Sequence, residues 1–148
     1  MDTESLLKSL NDQGVEYVVI GAAAFPVHGY SRATLDIDIF IRPDRQNARH
    51  TLEALRLFGY DVSGLTIDDL LTKKVLIRQY VLETDVHPFV KGITFEQVWA
   101  NRVEDRIGST PVFFAGLDDL IAMKRAAARP RDIEDLKYLE SLKRRRES

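Results

Sequence analysis

Leu35-Asp36-Ile37-Asp38-Ile39-Phe40-Ile41 sets two carboxylates into an otherwise apolar run. A β-strand turns alternate side chains to the same face, so Asp36 and Asp38 share one face, about 6–7 Å apart along the chain. Aspartate is a poor strand former, and two like charges on one face repel. A cation between the carboxylates removes that conflict, and a hard oxygen-donor set suits magnesium. Upstream, Glu16 to Ile20 reads as a buried strand ending at Gly21. Glycine there lets a ligand approach the backbone closely, and the amides of Gly21 and Ala22 face a phosphate if a helix follows. Together the two segments describe a bound nucleoside triphosphate with its metal.

Working outward, Thr3 to Leu10 predicts an amphipathic helix and Ala22 to His28 another, with Pro26 in its first turn. Arg45 to Leu57 predicts a long helix ending at Gly59, and Asp68 to Lys73 a short one. Val75 to Tyr80 and Val81 to Pro88 read as β, either one bent strand or two short paired ones. Phe95 to Asn101 predicts a helical turn or two, and residues 102–114 a hairpin around Gly108-Ser109-Thr110. Leu117 to Ala128 and Asp132 to Lys143 are helices separated by Pro130. Interleaved helices and strands favour an α/β or α+β fold. With no low-complexity linker or repeat, the 148 residues read as one domain. Its core covers about residues 15–115, and the terminal helices about 117–143.

A third carboxylate, Asp85, lies in Val81-Leu82-Glu83-Thr84-Asp85-Val86-His87, where Glu83 and His87 share its face if the segment is extended. Asp85 completes a two-metal site as a ligand, or serves as general base toward an acceptor hydroxyl. Glu83 and His87 are read as structural neighbours. Arg32 falls between the glycine turn and the aspartates, and Lys124 offers a point charge for a phosphate. Lys143-Arg144-Arg145-Arg146 reads as a solvated helix end whose cations complement the dipole, and Trp99, Phe95 and Phe89 read as core.

Bulk properties exclude several alternatives. A hydrophobic fraction of 45% with 30% charged residues is globular rather than disordered. The net charge of −2 and pI near 5.9 give no global drive toward nucleic acid or membranes. The absence of cysteine rules out thiolate nucleophiles and disulfides, and no apolar run has the length of a membrane span. The acidic start Met1-Asp2-Thr3-Glu4 differs from a secretory signal, so a cytoplasmic location is expected. There is no Gly-Lys-Ser/Thr phosphate loop, and the histidines lack zinc-like spacing.

Val19-Ile20-Gly21-Ala22-Ala23-Ala24, His28-Gly29, Arg32-Ala33-Thr34, Asp36-Ile37-Asp38 and Thr84-Asp85-Val86 resemble the nucleotidyltransferase superfamily of polymerase-β-like fold. More narrowly, the chain is similar to small bacterial proteins related to abortive-infection and toxin–antitoxin enzymes. Leu117 to Lys124 and Arg129 to Leu136 resemble the C-terminal helices of that group. The resemblance implies a mixed sheet with helices on one side, and transfer of a nucleoside monophosphate from a triphosphate to an acceptor hydroxyl of a protein, a tRNA or a small molecule. Asp36 and Asp38 would be ligands for two Mg2+ ions, and Asp85 a third ligand or the base. Gly21 and Ala22 would hold the triphosphate, Lys124 would touch a phosphate, and Asp132 would be a structural partner in the helical region. Ala22 stands where the family usually has glycine or serine, which removes a hydroxyl and restricts φ. A minimal catalytic unit that needs a partner protein fits that departure, as does a non-catalytic, antitoxin-like module of the same fold.

Overall fold

The computed structural model describes residues 2–31 and 34–147, so Arg32, expected to touch an anionic ligand, lies outside the described residues. Helix α1 (Thr3–Asp12) buries Leu6, Leu7 and Leu10 and is capped by the Asp2 side chain accepting from the Ser5 amide. It leads into β1 (Tyr17–Ile20), all four residues of which are buried. After β2 (Asp36–Ile41) come α2 (Arg45–Phe58), capped by Asp44, and α3 (Ile67–Thr72), which begins with a Thr66/Asp69 capping box. Strands β3 (Val75–Ile77) and β4 (Glu83–His87) form a short antiparallel pair, so the middle of the chain contains two strands rather than one bent strand. Helix α4 (Phe95–Ala100), the hairpin β5 (Val103–Ile107) and β6 (Thr110–Phe114), α5 (Leu117–Ala127) and α6 (Ile133–Glu147) complete the order.

The six strands form one mixed sheet in the order β3-β4-β2-β1-β6-β5. The central pair β1–β2 is antiparallel, while β2–β4 and β1–β6 are parallel. Mixed pairing forces the crossover helices onto the sheet faces. One face carries Tyr17, Ile37, Ile39 and Thr84 toward α1 and the residues after α2, where the Tyr17 hydroxyl donates to Asn11 and the Tyr60 hydroxyl meets Thr84 at 2.7 Å. The opposite face carries Asp38, Phe40 and Asp85. There α4 covers Phe40 through an edge-on Phe40–Phe95 contact at 5.3 Å. Helices therefore cover parts of both faces instead of one, and the carboxylate face is only partly roofed.

Two local expectations change. Residues 22–28 form two 3-10 turns, Gly21–Ala24 and Pro26–His28, not one α-helix. Pro26 starts the second turn and Gly29, at φ 99°, ends it, leaving too few residues to build an α-helical dipole. The basic C-terminal run is also not simply solvated. Lys143 pairs with Asp118 at 3.1 Å, and Arg146 reaches the His28 ring at 3.2 Å.

Candidate active site

The site is built on the β2–β4 register. Asp36 stands opposite Glu83, Asp38 opposite Asp85, and Phe40 opposite His87. Side chains in register on one face of paired strands are close neighbours, so this pairing groups the acids two by two. The Asp38, Asp85 and His87 donor atoms lie within 4.8 Å of one another. His87 Nε2 is 2.8 Å from Asp38 Oδ1. On the other side of Asp85, Arg78 donates to its Oδ1 at 2.7 Å, while Lys74 Nζ lies 3.7 Å from Oδ2, beyond hydrogen-bonding range. Asp85 is buried, so this guanidinium, with the Lys74 ammonium in ion-pair range, keeps its charge tolerable.

Asp36 sits differently from its sequence partner. It stands opposite Glu83, and this neighbouring carboxyl, with desolvation, raises the Glu83 pKa against the opposing pull of Arg78. The expected trio Asp36, Asp38 and Asp85 shares one strand face and one cleft, yet the tight cluster is Asp38, Asp85 and His87. His87, read from sequence as structural, is the residue that reasoning missed. Its signal was the period-2 spacing from Asp85, which becomes specific only once the register with β2 is known.

Gly21 closes the cluster from the side. It has φ 69°, and a Cβ there would lie 2.7 Å from Asp38 Oδ2. Only a residue without a side chain tolerates both the backbone conformation and the carboxylate against it. Gly21 and Ala22 line the same cleft as the acids.

That cleft encloses about 580 Å³ between the sheet and α5. Its far wall carries Lys124, Arg129, Arg131, Asp132 and Asp135. Lys124 Nζ is 3.0 Å from Asp132 and 3.5 Å from Asp135, and Arg129 donates to Asp132 at 2.7 Å. Burial opposes ionisation of Asp132, but its hydrogen bonds to Arg129 and Lys124 outweigh this and hold the carboxyl well below its ordinary value. Asp132, expected as a structural partner in the helical region, pairs with Lys124 itself, and this pairing occupies the charge that was assigned to a phosphate. Lys91 and Arg131, both exposed on the cleft lining, have no ion pair among the described residues.

The loop after β4 forms the rim. A Cβ on Gly92 would lie 2.6 Å from the Ala126 Cβ, so this glycine lets the loop close onto α5. Phe89 on the same loop is 61% exposed and lines the cleft, which corrects its assignment to the core. Phe95 is buried and Trp99 half-buried against it, as expected.

A mixed sheet carrying an acidic pair beside a glycine turn, with helices closing the cleft, defines the nucleotidyltransferase-like class of fold. The chain belongs to a family described as nucleotidyltransferases of unknown function, whose model matches residues 2–144. Comparison with curated proteins finds no match. Among the described residues, no helix is long and apolar enough to cross a membrane.

Proposed function

We propose that the protein transfers a nucleoside monophosphate from a nucleoside triphosphate to an acceptor hydroxyl, using divalent cations held by Asp36, Asp38 and Asp85. The observation that carries this reading is the facing pair Asp38–Asp85, packed against Gly21 inside a cleft of ligand size. The donor set fits a cation: two carboxylates oppose each other in register, and the absence of a side chain on Gly21 lets the Asp38 carboxylate lie against the turn.

The cation would supply charge neutralisation of the phosphates and a lowered pKa of the attacking hydroxyl. Asp38 and Asp85 fix where that charge sits, because both are held by strand pairing rather than by a loop. Gly21 and Ala22 line the same cleft as the acids, and their amides would hold the triphosphate beside them. Phe89 offers an exposed ring face to the base, and Lys91 with Arg131 offers free cations to the leaving diphosphate unit. The acceptor oxygen forms its bond to the α-phosphorus as the bond from that phosphorus to the bridging oxygen breaks. Pyrophosphate departs, and the hydroxyl proton passes to solvent in the open cleft.

A second reading has its own observation. Asp85 is bonded to Arg78 and Lys124 to Asp132, so two of the expected ligand-binding groups already have partners. That arrangement favours a partner-binding module that keeps the fold without turnover. Calorimetric titration of the protein with each triphosphate, with and without Mg2+, separates the two. Metal-dependent binding that Asp38→Ala abolishes supports the transferase, and no binding of any triphosphate supports the module. Incubation with α-labelled triphosphates and lysate then reads donor and acceptor class together as a labelled band.

A further inference from the structure

We infer that His87 is a direct ligand of the cation held by Asp38 and Asp85, and that this site selects Mn2+ over Mg2+. The inference rests on the reading that these two aspartates bind a divalent ion, and it names the ion.

Three donor atoms converge within 4.8 Å, and only two of them are carboxylate oxygens. The third donor of this group is an imidazole nitrogen, because the register sets Asp36 against Glu83 on one side of the Asp38–Asp85 pair and His87 on the other. Strand pairing fixes His87 in this position, and its side chain is 14% exposed. An octahedral ion with ligands at about 2.1 Å separates adjacent donors by about 3.0 Å. His87 Nε2 and Asp38 Oδ1 are 2.8 Å apart, close to that edge, a fit that Mg2+ and Mn2+ share, so the preference between them comes from the imidazole donor. A tetrahedral zinc site requires donors about 3.3–3.4 Å apart and a fuller rearrangement.

Binding exchanges the hydrogen shared by these two atoms for the ion, and the neutral ring carries its proton on Nδ1 instead. On Asp85, Oδ2 is the available atom, since Arg78 bonds Oδ1 and Lys74 stays 3.7 Å from Oδ2. Imidazole is a favourable donor for first-row transition ions, whereas Mg2+ prefers oxygen and water. An ion that accepts both donor types without leaving octahedral geometry gains one more protein ligand here than Mg2+ does.

The test uses the full chain without nucleotide, titrated calorimetrically with MnCl2 and with MgCl2. Electron spin-echo spectra of the Mn2+ complex are recorded alongside. Mn2+ is expected to bind about tenfold tighter or more, with nitrogen modulation from a coordinated imidazole. His87→Ala should remove the modulation and bring the two ions to similar affinity, with Mg2+ binding little changed. His87→Asp should restore tight binding with the preference moved toward Mg2+, which shows that loss in the alanine variant is not misfolding. Absence of nitrogen modulation in the wild type, or an Mn2+/Mg2+ ratio unchanged in His87→Ala, overturns the inference and leaves His87 as an orienting partner of Asp38. Metal-dependent triphosphate binding would survive that outcome. If neither ion binds, with or without ATP, the transferase reading goes as well.

Discussion

The two walls of the cleft hold similar numbers of charged groups in opposite ways. On the sheet, Asp38, Asp85 and His87 are brought together by strand register, and Gly21 lets the Asp38 carboxylate lie directly against the turn. On the helices, Lys124, Arg129, Asp132 and Asp135 neutralise one another within a buried network. One cluster keeps unsatisfied donor capacity, while the other has spent its charges internally. Helix charges in balance point to a fold-stabilising role, while the sheet acids, met by Arg78 and Lys74 on one side of Asp85, still turn donor atoms of Asp38, Asp85 and His87 toward one point. Residue type alone does not distinguish these cases, since both clusters contain aspartates beside basic groups.

The sharpest way to break the comparison is Lys124→Met. It keeps most of the apolar stem but removes the ammonium from over the Phe25 ring and from Asp132 and Asp135, both nearly inaccessible. Removing one partner of a buried pair is strongly unfavourable, and a loss of about 3 kcal/mol is expected in urea unfolding. Unchanged stability with weakened triphosphate binding would instead make Lys124 a ligand group and put both walls in one class.

Gly21→Ala tests the sheet wall. A left-handed backbone with a side chain costs about 1–3 kcal/mol, and the new Cβ would press on Asp38 Oδ2. The expected outcome is a smaller stability loss than for Lys124→Met, with metal-dependent nucleotide binding abolished. Retained binding would show that the carboxylate can move and that its place against the turn is not required.

Sequence made the first wall legible and hid the second. Asp36 and Asp38 announce themselves because alternation in a strand is local, and Gly21 because a strand-ending glycine before small residues is a recognisable turn. Asp85 followed from its place in a second extended segment, and the family resemblance named Asp132 as a structural partner. His87 was not legible as a cluster member, since its neighbour Asp38 is 49 residues away and only the parallel β2–β4 register joins them. The same nonlocality moved Asp36 toward Glu83. Phe89 misled because an aromatic after a buried strand usually continues the core, whereas here the chain turns along the cleft rim. The expected helix after Gly21 failed on counting: Pro26 and Gly29 divide the stretch into single turns.

Acid sharpens the contrast. The Asp132 carboxyl is held below its unfolded value of about 3.8. Its contribution is therefore fully present above that value and is lost as pH falls below it toward the lower folded pKa. Below pH 4 the unfolded chain takes up the proton first, so stability should drop, and Asp132→Asn should flatten that part of the curve. His28 acts at higher pH. Burial, with the nearby Arg146 charge, lowers its pKa from 6.5 despite the hydrogen bond to the Ala115 carbonyl. Stability from neutral His28 is complete above pH 6.5 and declines below it, a slope that His28→Gln should remove in urea titrations between pH 5 and 7.5.

The smallest expected effect is the control that gives the largest its meaning. Arg125 follows Lys124 directly on α5 and also faces a carboxylate, Glu140, at 3.5 Å. Its side chain is 59% exposed, however, so water replaces the partner when the pair is broken. Exposed pairs of this kind contribute less than about 1 kcal/mol. Arg125→Met should leave the urea midpoint almost unchanged, and added salt should alter it little. Two adjacent cations with the same formal partner type then differ in consequence through burial alone. If Arg125→Met matched Lys124→Met instead, the helix itself, rather than the buried charge network, would be the feature that both substitutions disturb.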